Sequence, residues 1–178
     1  LGTTPSSYIP TSGAAATRAA ETLVVPAANM PTYTDAVSIA VEGKMTYADD
    51  GTNNTVFLVN WTKDGSNRIN IVAADTLSSR TGDVEFLQEA DDVVTLLRQS
   101  DAYSPGINVP FNIASRHGST FVNGATDGTA VTADTTITAI PDLSETEFGL
   151  GHFFMGTISE LRVWPVDITD TGIEEASA

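Results

Sequence analysis

The chemistry open to this sequence is set by two histidines, no cysteine and a scatter of carboxylates. The nearest approach to a carboxylate pair is Asp83-Val84-Glu85-Phe86-Leu87-Gln88-Glu89, where Asp83, Glu85 and Glu89 share one face of an extended segment. Cleavage of a glycosidic bond with retention needs two carboxyl groups about 5 to 5.5 Å apart. This spacing does not supply them. Neither His117 nor His152 has a serine or carboxylate at triad or metal-ligand spacing. His117 is read as structural, and His152 as a loop residue before the final strand. Without cysteine, disulfides, thiolate zinc sites and cysteine nucleophiles are excluded. No catalytic or metal-ligating residue is assigned, and the chain is not expected to be an enzyme.

Sugar recognition asks for different residues: a ring to stack on a pyranose, and planar amides or guanidinium groups to bond vicinal hydroxyls. Asn60, Trp61, Asn70, Tyr103, Asn112 and Arg116 are the candidates. If Lys63 pairs with Asn67 across a hairpin, Asn60 lies opposite Asn70 and Thr62 opposite Arg68, while Trp61 falls on the core face with Val59, Ile69 and Ile71. A register one residue different puts Trp61 opposite Arg68 on an exposed face, and the turn cannot be typed from sequence. Along 109–117, Phe111, Ile113, Ser115 and His117 share one face, and Asn112, Ala114 and Arg116 the other. The second face suits a solvated concave sheet, on which Asn60, Asn70, Asn112 and Arg116 would line one shallow groove. Tyr103, beside Ser104-Pro105-Gly106, is the ring a turn would present.

Strands must position these residues, because apolar residues recur at every second position and β-branched types, Asn, Asp and Gly dominate. Val37, Ile39, Val41 and Met45 alternate with polar neighbours, and Gly43-Lys44 reads as a bulge. Further strands are expected over Thr55 to Thr62, Arg68 to Ala73, Val93 to Gln99, Val109 to His117, Ser119 to Val122, Gly128 to Thr132, Glu147 to Leu150 and Gly156 to Trp164. Lys63-Asp64-Gly65-Ser66-Asn67 makes a hairpin turn. The fold class is therefore all-β, a two-sheet antiparallel β-sandwich. A short exposed helix, capped by Thr169 or Asp170, closes the chain. Residues 1–20, rich in Pro, Ser, Thr and Ala, read as a linker, leaving 21–178 as the sandwich domain.

The length of 178 residues fits one domain with its own core. A formal net charge of −15 repels nucleic-acid phosphates and anionic lipid, which speaks against either partner. No apolar run approaches the ~20 residues of a membrane helix. The chain opens on Leu1, so it is expected to be excised from something longer.

Three segments carry a resemblance. Ser6-Ser7-Tyr8-Ile9-Pro10-Thr11, Gly13-Ala14-Ala15 and Thr17-Arg18-Ala19-Ala20-Glu21 are similar to a linker of bacteriophage tail and other virion proteins. Gly156-Thr157-Ile158-Ser159-Glu160-Leu161-Arg162-Val163-Trp164-Pro165, followed by Ile168-Thr169-Asp170, resembles the ending of concanavalin A-like, laminin-G-like domains in those proteins. Val109-Pro110-Phe111-Asn112-Ile113-Ala114-Ser115-Arg116-His117 and Val122-Asn123-Gly124 sit where that family has a strand and a turn. The resemblance implies a concanavalin A-like jelly roll after a preceding module, with Leu1-Gly2 as the stub of that module's last strand.

It further implies a virion or extracellular location, a non-catalytic carbohydrate-binding module of a tail fibre or similar protein, and a polysaccharide or cell-surface glycan as partner. Neutral glycans suit the charge better than anionic ones. Neighbouring domains of the same virion protein are implied partners, and homo-oligomerisation in the virion is left open. The alternatives are a decoration or assembly domain without a sugar ligand, and a polysaccharide depolymerase or lyase. Glu160-Leu161-Arg162 resembles an alginate lyase motif but lacks that family's partner strands, so Glu160 and Arg162 are read as a cross-strand ion-pair set with Leu161 and Val163 in the core. No cofactor is expected. Calcium is an option that domains of this kind bring with them, with Asp49-Asp50-Gly51-Thr52-Asn53-Asn54, Asp91-Asp92 and Asp134 as oxygen-rich loops, although ordinary turn chemistry is the favoured reading of them.

Overall fold

The structure is a computed structural model that describes residues 23–45, 55–74, 82–100, 102, 109–152, 154 and 156–178. The linker 1–20, the Asp49 to Asn54 loop and Tyr103 lie outside the described residues. Two antiparallel sheets form a sandwich. The strands are β1 (Leu23–Val25), β2 (Ala36–Met45), β3 (Thr55–Thr62), β4 (Arg68–Ala74), β5 (Val84–Ala90) and β6 (Val93–Gln99), then β7 (Val109–Gly118), β8 (Val122–Thr126), β9 (Thr129–Ala130), β10 (Phe148–His152) and β11 (Gly156–Trp164). One helix, α1 (Thr169–Ala176), ends the chain. A six-stranded sheet runs β1-β10-β3-β4-β5-β6, and a five-stranded sheet runs β11-β2-β7-β8-β9.

Alternation decides which side chains enter the core. Val37, Ile39 and Val41 of β2 and Phe111 and Ile113 of β7 meet Val59, Trp61, Ile69, Ile71 and Phe86 of the other sheet. Two rings pack on Trp61, Tyr33 with centroids 5.4 Å apart and Phe148 also at 5.4 Å. The ladder between β3 and β4 has Asn60 opposite Asn70, Trp61 opposite Ile69 and Thr62 opposite Arg68, and the Lys63 amide donates to the Asn67 carbonyl at 3.0 Å. Of the two registers open to the sequence, this one buries Trp61.

Three local expectations are corrected. The bulge expected at Gly43-Lys44 is absent, since β2 pairs there without interruption; register shifts fall instead at Ser159 of β11, between Ile158 and Glu160, and at Leu58 of β3, between Phe57 and Val59. Gly43 is glycine for space, because a Cβ there would sit 2.5 Å from the Phe111 ring and 2.5 Å from the Thr157 carbonyl. The strand expected over Ser119 to Val122 begins instead at Val122, because Gly118 and Phe121 close a turn through a 2.8 Å backbone bond. Val84–Ala90, absent from the expected strands, is a full strand between β4 and β6.

The terminal helix is docked rather than exposed. Its Ile173 is buried against Ala40, Ala114 and Ala125, small residues on the outer face of the five-stranded sheet. No side chain caps it at Ile168, but the Asp167 carboxylate accepts the Thr169 amide at 2.7 Å.

Candidate functional site

The single groove expected from Asn60, Asn70, Asn112 and Arg116 does not form, because the two pairs occupy opposite outer faces of the sandwich. Arg116 is 9% exposed beneath α1, with its guanidinium 3.0 Å from the Asp167 carboxylate, 2.7 Å from that of Asp170 and 4.3 Å from the centre of the Phe121 ring. Its bonding capacity is directed to holding the helix on the sheet. Asn123 assists, donating to Asp170 at 2.6 Å. Asn112 lies on the same face opposite Glu42, and its carbonyl accepts the Asp127 amide at 3.0 Å. The face read as a solvated concave sheet is thus the one the helix covers.

Asn60 and Asn70 do lie together, on the outer face of the six-stranded sheet. The Thr62 hydroxyl donates to the Asn60 side-chain oxygen at 2.7 Å and approaches that of Asn70 at 3.4 Å. Asn70 is nearly enclosed and Asn60 half-buried, so Asn60 is the amide within reach of a ligand. Beside it opens a groove of about 860 Å³ between β3, β10 and the segment from Asp142 to Glu147. Asn60, Thr62 and Gly149 line it on the sheet side, and Lys63, Asp142 and Glu147 are among its flanking residues. Gly149 pairs directly with Asn60, and its missing side chain keeps the sheet surface open there.

Trp61, at 1% exposure, cannot stack on a sugar; it supports the groove from beneath. Its indole N–H donates to the Thr146 carbonyl at 3.3 Å, in the wall itself. The Tyr33 hydroxyl donates to the Pro141 carbonyl at 2.7 Å and accepts the Leu143 amide at 3.3 Å, and burial pushes its pKa up to about 12. Lys63 donates to the Asp142 carbonyl at 3.3 Å from the other side. Ser144 closes an Asx turn onto Asp142, and its hydrogen bonds, side chain first and then backbone, hold that carboxyl below the usual range. Glu145 sits at φ 64°, a left-handed conformation that the surrounding bonds impose.

Three carboxylates, Asp142, Glu145 and Glu147, face one ammonium, Lys63, so the groove is net anionic. No aromatic ring lines it among the described residues. The amide, hydroxyls and carboxylates present offer hydrogen-bond donors and acceptors suited to a hydroxyl-rich ligand. Sequence reasoning missed Lys63 and the 142–149 wall because it sought rings and amides on strands. The Asp142-Leu143-Ser144-Glu145-Thr146-Glu147 run was the available signal, an oxygen-rich segment just before a strand.

The carboxylates weighed for catalysis are engaged in ion pairs on the outer sheet face. Glu89 holds Arg68 at 2.7 Å, and Glu85 holds Arg98 at 3.0 Å with Asp83 at 3.6 Å. Glu85 and Glu89 are four residues apart on β5, roughly 13 Å along a strand, beyond either glycosidase spacing. In β11, Arg162 bonds Glu42 across the ladder at 2.7 Å and lies 3.1 Å from Glu160, while Leu161 and Val163 pack on the core. His117 is fully enclosed between the sheets. Asp91 and Asp92 form the tight β5–β6 turn at φ 50° and 66°, and Asp134 accepts from the amide and hydroxyl of Thr136. Among the described residues, no three His, Asp or Glu side chains converge as metal ligands would.

No family model matches the sequence, and neither does any curated protein. Solved structures do match. The sialidase module CBM40 of Ruminococcus gnavus, bound to α2,6-sialyllactose, superposes with a TM-score of 0.64 over 90% of this chain and 95% of its own, at 13% identity. It shares this jelly-roll fold. A leech intramolecular trans-sialidase, complexed with 2,7-anhydro-Neu5Ac, matches at a TM-score of 0.61 and 15% identity over 82% of this chain, which spans 23% of that enzyme. A structure of botulinum neurotoxin type C, a toxin whose cell entry is dependent upon interaction with two ganglioside molecules, matches at a TM-score of 0.55 and 10% identity over 79% of this chain and 35% of its own.

Proposed function

We propose that the chain is a non-catalytic carbohydrate-binding module that takes a neutral glycan in the groove between Asn60 and the 142–147 wall. The observation that carries this reading is the groove itself, an open site of about 860 Å³ lined by an amide, hydroxyls, carboxylates and one ammonium on a rigid sheet. Solved sugar-binding modules of the same fold support it. The three wall carboxylates disfavour an anionic sugar at this position, which distinguishes the expected ligand from the sialyllactose of the Ruminococcus module. Without a stacking ring, affinity rests on hydrogen bonds made in competition with water, so a single site binds weakly and multivalent display raises avidity.

The setting we propose is a phage virion protein such as a tail fibre, with residues 21–178 as the module and 1–20 as its linker. The resemblance of 6–21 and 156–170 to virion proteins supports it. One observation favours a second reading, a decoration or assembly domain without sugar: the ring-free groove. The ion-paired Glu85 and Glu89, some four residues apart on β5, argue against a hydrolytic depolymerase, and the enclosure of His117 between the sheets keeps it from serving as a lyase base. A glycan array probed with multivalent chain decides between the first two readings. Binding to neutral glycans that disappears in Asn60→Ala supports the module, and silence across the array with folded multivalent protein supports the assembly domain.

A further inference from the structure

We infer that β6 is a self-pairing edge through which two copies of the chain join their six-stranded sheets into one. Four strands end the sheets, and three are blunted. β1 has three residues and β9 two, too few to hold a partner in register, and β11 carries the Ser159 bulge that breaks its ladder. β6 has seven residues in an unshifted ladder with β5, and its sequence Val93-Val94-Thr95-Leu96-Leu97-Arg98-Gln99 contains no proline and no lysine. Among the described residues no strand lies on its far side. Val93 is 63% exposed, Val94 52% and Leu96 43%, half of the large apolar residues exposed on the described surface. An edge with an apolar face and no described strand beside it is a template for another strand.

The pattern along β6 commits the occupant to a second copy. Asp92, Val94, Leu96 and Arg98 recur at every second position, the first in the turn and the rest on the outer sheet face. Antiparallel pairing about a two-fold axis at Thr95 sets Val94 opposite Leu96 of the other copy and Asp92 opposite its Arg98, each pair occurring twice. Apolar side chains thus meet in the middle, and at both ends the Arg98 guanidinium, already held by Glu85 and Asp83 of its own chain, extends its ion-pair set to the Asp92 carboxylate of the other copy. Any register shifted by one residue along the partner loses both matches.

The join has a functional consequence. The groove beside β3 is separated from its counterpart by seven strand spacings, about 34 Å at the usual distance between strands. Both grooves open on the same face of the extended sheet, so one glycan surface engages them together. The pairing itself holds whether or not the groove takes sugar.

Sedimentation velocity up to millimolar concentration, with cross-linking, tests the inference. The unmodified chain is expected to shift from monomer to dimer as concentration rises, and Leu96→Lys, at an exposed position, to stay monomeric with an unchanged melting temperature. Since the chain has no cysteine of its own, Val94→Cys mixed with Leu96→Cys should form a disulfide dimer under mild oxidation several times faster than either variant alone. A monomer at all concentrations overturns the inference. So does a dimer that survives Leu96→Lys, or cross-linking no faster in the mixture than in each variant alone.

Discussion

His117 stands between the sheets with its Nε2 3.1 Å from the Ser115 hydroxyl and its Nδ1 without a partner. Burial pushes its pKa down to about 3. The unfolded chain therefore takes up the proton first, near pH 6.5, and the neutral imidazole contributes stability above that pH that is lost as pH falls toward 3. Urea unfolding between about pH 5 and 6, where ordinary carboxylates stay ionised, should show stability falling by up to about 1.4 kcal/mol per pH unit, and His117→Gln should flatten that slope. An equal slope in both proteins would remove His117 as the cause. Trp61 was the residue whose role the sequence could not decide, because a one-residue slip moves it between core and surface and only the turn sets the slip. Trp61→Ala should destabilise the fold by about 3 to 5 kcal/mol, measured by the same unfolding, and Trp61→Phe should free the Thr146 carbonyl and loosen the groove wall.

Strand placement was largely legible because alternation over seven to ten residues is a strong signal, as in β2, β3 and β7. The terminal helix was legible as a helix but not as a docked one. Eight residues carry one buried apolar anchor, Ile173, and its counterparts Ala40, Ala114 and Ala125 come from three different strands. Arg116 joins the same arrangement from below. Replacing it by Met leaves Asp167 and Asp170 without their cation and should cost about 2 to 3 kcal/mol, with amide exchange speeding first in 169–177. A uniform rise in exchange across both sheets would instead mean that helix and sandwich unfold together. Gly43 illustrates a signal read for the wrong reason: a glycine inside an alternating run marks a bulge or a close approach, and here the Phe111 ring approaches. Gly43→Ala should destabilise by about 1 to 3 kcal/mol without changing the β2–β11 register.

At the scale of the whole molecule, the candidate site is assembled from segments some eighty residues apart, 60–63 and 142–149. Neither announces itself alone. Asn60 is legible through its strand, whereas the wall is defined only by the tertiary hydrogen bonds that Trp61, Tyr33 and Lys63 make to it. The charge of −15, first an argument against nucleic acid, acquires a local meaning in the three carboxylates beside one ammonium. The most direct test is an NMR titration of isotope-labelled chain with neutral oligosaccharides drawn from array hits, or from a broad panel where the array is silent. The account predicts saturable shifts confined to the Asn60 side-chain amide and the backbone amides of Lys63, Ser144 and Gly149, lost in Asn60→Ala at unchanged melting temperature. Shifts that cluster on another face, or no saturable shift with any sugar at millimolar concentration, would contradict it.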